Sequence, residues 1–216
     1  RTVNANACSV DYAITGGTAT ISDNDYQPLA SGTLNFTAGG AFSQTVSVVV
    51  NGDVKVELDE TVVMTLSNPV NSSILDGSGT GTIINDDSAI ITISNPSLAE
   101  GCTGSNPLIT FDLNMSNPSD ANVVFNYTTI DGTATLLNND YLLTSGTTTL
   151  TPGTQQGTIQ VPMVGDCFIE ANETFLSRLS SLNSNGRAIT FSGGGATLDG
   201  TGTIVNDHSV PQITCP

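Results

Sequence analysis

Short runs in which apolar and polar residues alternate recur along the chain, as in Val46, Val48 and Val50 of TVSVVV and Val62, Met64 and Leu66 of VVMTL. A period of two puts alternate side chains on one face of an extended backbone, so each run predicts a half-buried strand. Clusters of Gly, Asn, Asp and Pro separate the runs at intervals suited to an antiparallel sandwich. No segment sustains a helical period.

The pattern is also repeated. GTATISDNDY at 17–26 returns as GTATLLNNDY at 132–141, and SGTLNFTAGG from Ser31 returns as SGTTTLTPGT from Ser145. GDVKVELDET from Gly52 returns as GDCFIEANET from Gly165, and GTGTIINDD as GTGTIVNDH. Two copies of one module therefore lie head to tail, each read as a seven-stranded Ig-like β-sandwich. The expected division is 1–87 for the first, 88–208 for the second and 209–216 for a C-terminal strand.

The copies differ in completeness. SAIITISNPSLAEG and PLITFDLNMS precede ANVVFNYTTIDGTAT in the second module, whereas the first opens at a segment aligned with the last of these, Val10 and Tyr12 opposite Phe125 and Tyr127. The fold expected is all-β: two tandem antiparallel sandwiches, the first lacking its early strands. DHSVPQIT at the C-terminus aligns with DDSAIITI and reads as a spare first strand.

Composition supports this reading. Thr, Ser, Gly, Asn and Val dominate, and Arg1, Lys55, Arg178 and Arg187 are the four basic residues, against 20 acids and a net charge of −16. Nucleic acid and anionic membrane surfaces need a basic footprint and are poor partners, so none is expected; divalent cations are the natural counter-ions. No signal peptide, lipidation motif or bilayer-length apolar run is seen, so no membrane insertion is expected. Cys8, Cys102, Cys167 and Cys215 show no CxxC or His spacing, which sets zinc aside and favours disulfides in an oxidising compartment.

The motifs that recur resemble the Calx-β domain family: GTA followed by NDY, a GD turn leading into E-x-x-E-T, and a closing I-x-N-D-D/H. The resemblance implies a two-sheet sandwich that binds Ca2+ at one end. The residues it picks out as ligands are Glu100, Asp140, Asp166, Glu170, Asn206 and Asp207 in the second module, and Asp25, Asp53, Glu57, Asn85 and Asp86 in the first. Calcium takes about six to eight oxygen ligands, so carboxylates converging from several loops suit it. The first module has no counterpart of Glu100, and Asn85, Asn206 and His208 stand where more negative ligands would bind calcium harder. The alternative is a metal-free module in which these acids build turns and caps.

In that alignment Cys102 and Cys167 fall at the same end of the second module, where a disulfide is expected. Cys8 and Cys215 are left to pair between chains. His208, beside the boundary and without a nucleophile motif, reads as a solvated linker residue, and Glu57 with Glu60 lacks the tryptophan platform of a glycosidase; no enzyme is expected. Five sequons, at Asn35, Asn71, Asn114, Asn126 and Asn172, are compatible with N-glycans but are expected by chance in so Asn-, Ser- and Thr-rich a chain.

Missing early strands and a spare late one lead to two expectations. The chain is an excerpt of a longer array, or it is a subunit that completes its neighbour by strand addition, giving a head-to-tail homopolymer. The function expected is a calcium-binding module of an extracellular bacterial fibre resembling a pilus, the alternative being a stiffened segment of a monomeric adhesin. A cytosolic calcium sensor fits the cysteines and the scarcity of lysine less well.

Overall fold

The structure is a computed structural model that describes residues 6–102 and 104–209. It divides into two compact units, residues 1–53 with 58–86, and residues 54–57 with 87–216. The C-terminal strand expected at 209–216 and its Cys215 lie, from residue 210 onward, outside the described residues. Among the described residues no helix is long and apolar enough to cross a membrane.

The first unit has four strands, β1 (Cys8–Gly17), β2 (Gly32–Phe36), β3 (Glu60–Val70) and β4 (Ser78–Ile83), in one antiparallel sheet of order β2-β1-β3-β4. No second sheet covers it among the described residues. The alternating run at Val46, Val48 and Val50 was expected to form a strand; it makes only an isolated bridge from Val50 to Tyr26. A strand needs a neighbour to accept its ladder hydrogen bonds, and among the described residues no strand pairs with this run. The core is correspondingly small: Ala19, Tyr26 and Val62 are buried, with Ile14, Val48 and Ile83 half-buried beside them.

The second unit is a full sandwich. Its strands are β5 (Ala89–Ile93), β6 (Ser97–Ala99), β7 (Leu108–Met115), β8 (Val123–Asp131), β9 (Ser145–Leu150), β10 (Gln156–Pro162), β11 (Glu173–Asn183), β12 (Ile189–Phe191) and β13 (Thr197–Val205). One sheet runs β10-β7-β5-β12, the other β6-β13-β11-β8-β9. Among the described residues the count is nine strands rather than seven, because the first strand breaks into β5 and β6 and a short β12 precedes the last. Two pairings, β12 with β5 and β13 with β6, are parallel, a departure from the all-antiparallel expectation.

Alternation on both inner faces fills the core with Ile91, Phe111, Leu113, Phe125, Val161, Phe175, Leu179 and Phe191, each at most 1% exposed. Phe175 stands edge-on to Phe111 and stacks on Tyr141 at 4.4 Å between ring centres. Val56 also belongs here: its amide donates to the Pro118 carbonyl at 2.8 Å, and its side chain is fully buried.

The repeat is visible in local geometry. Asn24 (φ 70°) and Asn139 (φ 65°) take the left-handed conformation that Asn tolerates, closing matching turns. In each, the following Asp caps the turn, Asp25 Oδ2 accepting from the Thr20 amide at 2.6 Å and Asp140 Oδ2 from the Thr135 amide at 2.7 Å.

Candidate metal centre

Strand direction gathers the site at one end of the second unit. Because β6 runs parallel to β13, both emerge at the same end, and the Glu100 amide donates to the Val205 carbonyl at 3.2 Å. β11 is antiparallel to β13 and pairs Glu173 with Ile204, so its first residue lies there too. The turn that follows β8 brings Asp140, and the loop after β10 brings residues 165–170.

Backbone packing locks two of these loops together. A Cβ at Gly165 would stand 2.6 Å from the Glu100 carbonyl oxygen and 2.7 Å from that of Gly101, so only glycine allows the approach. The Gly165 amide donates to the Ser105 carbonyl at 3.0 Å, and the Ser105 hydroxyl to the Glu100 carbonyl at 2.9 Å. Glu100 and Cys102 are thereby held against Asp166 and Cys167.

The carboxylates converge. Oxygens of Glu100, Asp166 and Glu170 lie within 4.8 Å of one another, as do those of Asp140, Glu170 and Glu173 and the donor atoms of Glu100, Asp207 and His208. Glu100 is buried, its side chain 7% exposed, and its Oε1 makes no hydrogen bond. Burial first, then the charges of Asp166, Glu170 and Asp207, push its carboxyl above the ordinary range, with His208 opposing. Glu173 is pushed up to about 7 by burial and by Asp140, Glu170 and Glu100. A buried carboxylate oxygen without a partner, among other carboxylates, fits a hard divalent cation.

The other expected residues fall as follows. Asn206 turns its side chain to its own loop, Nδ2 donating to the His208 carbonyl at 2.9 Å and Oδ1 accepting from the His208 amide at 3.3 Å. Glu57 belongs to the second unit, where it pairs with Lys55 at 2.6 Å. Asp25, Asp53, Asn85 and Asp86 belong to the first unit. Asp25 caps its turn, and the Asn85 amide donates to Asp59 at 3.0 Å. Among the described residues, no three His, Cys, Asp or Glu side chains of the first unit alone converge.

Four residues depart from expectation. No disulfide joins Cys102 and Cys167, although the alignment put them at the same end correctly. Proximity of the Cys167 sulfur instead pushes the Cys102 thiol up. His208 is not a solvated linker residue: its side chain is 16% exposed, with Nδ1 3.1 Å from Asp207 Oδ1 and Nε2 3.4 Å from Cys102 Sγ. Cys102, Cys167 and His208 bring their donor atoms within 4.8 Å of one another, so their separation in sequence hid a Cys–Cys–His cluster. Glu173, the second acid of E-x-x-E-T, is a carboxylate of the cluster outside the expected ligand set; its place at the first position of β11 is the signal that would find it.

No curated protein matches the chain. Among solved structures, it is similar to the apo-form Calx CBD1 domain, at 17% identity and a TM-score of 0.47, covering 56% of this chain and 99% of that one. CBD12 from CALX1.2 is similar at 22% identity and a TM-score of 0.37, covering 82% and 69%. The calcium binding domain CBD12 of CALX1.1 gives 19%, 0.37, 84% and 69%. The profile of the Calx-beta domain matches residues 2–97 and again residues 85–207, so the chain belongs to the Calx-beta domain family, as a tandem pair.

Proposed function

We propose that this chain is a non-catalytic, calcium-binding β-module of an extracellular fibre, whose first unit is completed by a strand from another copy. The calcium reading is carried by Glu100, buried with an unpartnered oxygen beside Asp166 and Glu170. The five acids Glu100, Asp140, Asp166, Glu170 and Glu173 offer only hard oxygen donors, and family membership favours the same ion. Calcium would neutralise mutual repulsion and tie together the ends of β6, β8 and β11.

The fibre reading is supported by the uncovered sheet of the first unit. Val48, Val50, Val62, Met64 and Ile83 line a groove of about 420 Å3 there, and Val50 is 50% exposed. The occupant is the C-terminal segment of a neighbouring copy, whose sequence aligns with β5, a strand of the sheet that the first unit lacks. The test is electron microscopy of natively isolated protein, with and without chelator. Filaments with density for residues 209–216 inside a neighbour's first unit are expected, and chelation is expected to loosen them. Isolated particles whose first unit is completed by residues of its own polypeptide would overturn the fibre reading in favour of an adhesin array.

A further inference from the structure

The geometry points to a second metal position at the same end of the second unit, for a borderline-soft divalent ion such as zinc, held by Cys102 Sγ, Cys167 Sγ and His208 Nε2. It goes beyond the calcium reading and does not rest on it. Thiolate and imidazole are ligands that zinc takes and that calcium, which binds oxygen, does not.

Three observations carry the assignment. The first is spacing. A tetrahedral zinc with bonds of about 2.3 Å to sulfur and about 2.05 Å to nitrogen separates those two ligand atoms by about 3.6 Å. The Cys102 Sγ to His208 Nε2 distance is 3.4 Å, and the Cys167 sulfur lies within 4.8 Å of the Cys102 sulfur and of a His208 ring nitrogen.

The second is the aim of the imidazole. Nε2 faces the sulfur, and Nδ1 faces carboxylates, 3.1 Å from Asp207 Oδ1 and 3.8 Å from Glu100 Oε1. Zinc-bound histidine turns its other nitrogen to a carboxylate, which accepts its proton and fixes the ring. Nδ1 and Glu100 Oε1 are both buried and make no hydrogen bond, which leaves two costly orphans beside the donor set. Metal on Nε2 fixes the proton on Nδ1, where the carboxylates can accept it.

The third is construction. The close approach at Gly165 holds the two cysteine loops together, and the Asn206 side chain braces the backbone of His208. The soft donors also lie outside the repeated pattern, since Val54 and Asp87 occupy the places of Cys167 and His208 in the first module. A water completes the tetrahedron, and zinc binding and a Cys102–Cys167 disulfide exclude each other.

The experiment is cobalt titration of the full reduced chain in saturating calcium, followed by displacement with zinc. Expected is one equivalent of cobalt showing thiolate-to-metal charge transfer and tetrahedral visible bands, both lost to zinc. Cys102→Ser, Cys167→Ser and His208→Gln are each expected to weaken zinc binding at least about tenfold, with the melting curve checking that each variant is folded. Cys8→Ser combined with Cys215→Ser keeps the full signal. Absence of the thiolate band from the unsubstituted protein would overturn the proposal. So would metal binding that survives both Cys102→Ser and Cys167→Ser, or a Cys102–Cys167 disulfide found by peptide mapping of the native protein.

Discussion

Glu100 sits where the surrounding protein gives a charge least in return, buried, one oxygen unpartnered and facing other acids. Glu100→Gln keeps the shape and removes the repulsion. In chelator it is expected to raise the melting midpoint of the second unit by a few degrees, the response to about 1 kcal/mol in a domain of this size. In calcium the order reverses, because a ligand is lost; calorimetry with and without calcium reads both signs. Glu173 gives a pH dependence. Its folded value of about 7 lies above the ordinary 4.5, so its contribution to stability is full below 4.5 and fades as pH rises through 7. Metal-free protein is therefore expected to melt higher at pH 5 than at pH 8, a trend that thermal denaturation in chelator checks. Asp199, held low by Arg178, does not oppose this, since its contribution is lost only below the ordinary carboxylate range. Legibility at this scale divides by chemistry. Asp140, Asp166 and Glu170 sit in repeated motifs and could be read directly, as could the end that Cys102 and Cys167 share, whereas His208 joins the two sulfurs only through the parallel β6–β13 pairing and the Gly165 contact.

Between strands, the same alternation meets two fates. Val161 and Ile159 in β10 are buried because β10 pairs with β7 from Gln156↔Asn114 to Pro162↔Leu108. Val46, Val48 and Val50 show the same pattern without a paired partner strand, and no strand forms. Hydrophobic periodicity reports which face a strand would bury, while its existence depends on a neighbour elsewhere in the chain. For that reason long strands of the second unit such as β7 and β8 were legible, while the short β6 and β12 and the fate of 46–50 were not. The two parallel pairings escaped as well, since period-two runs carry no information about direction. β11 is the element on which core and site both depend: Phe175 packs against Phe111 and Tyr141, and Glu173 opens the strand two residues earlier. Phe175→Ala is expected to cost about 3–5 kcal/mol in chemical denaturation of the second unit. Calcium affinity should fall with it, because the Tyr141 hydroxyl, bonded to Asp131 at 2.5 Å, anchors the turn that carries Asp140.

At the scale of the whole molecule, the two units differ in how far each can stand alone. Among the described residues, twenty buried side chains, from Val56 to Ile204, form the core of the second, against three in the first. A single sheet with one apolar face open to water is marginal. Isolated chains are thus expected to show two calorimetric transitions, the lower one belonging to the first unit and insensitive to calcium. Deleting residues 209–216 separates the sources of its instability. If a neighbour's C-terminal strand covers the sheet, the deletion abolishes polymerisation, while the lower transition of the isolated chain stays where it was, because the strand acts in another copy. Adding the excised segment as a peptide then raises that transition in proportion to the logarithm of its concentration, as a ligand of the folded state must. If the deletion instead lowers the transition in dilute monomer and the peptide restores it, the strand folds back within its own chain, and a fibre built by exchange of this segment is ruled out.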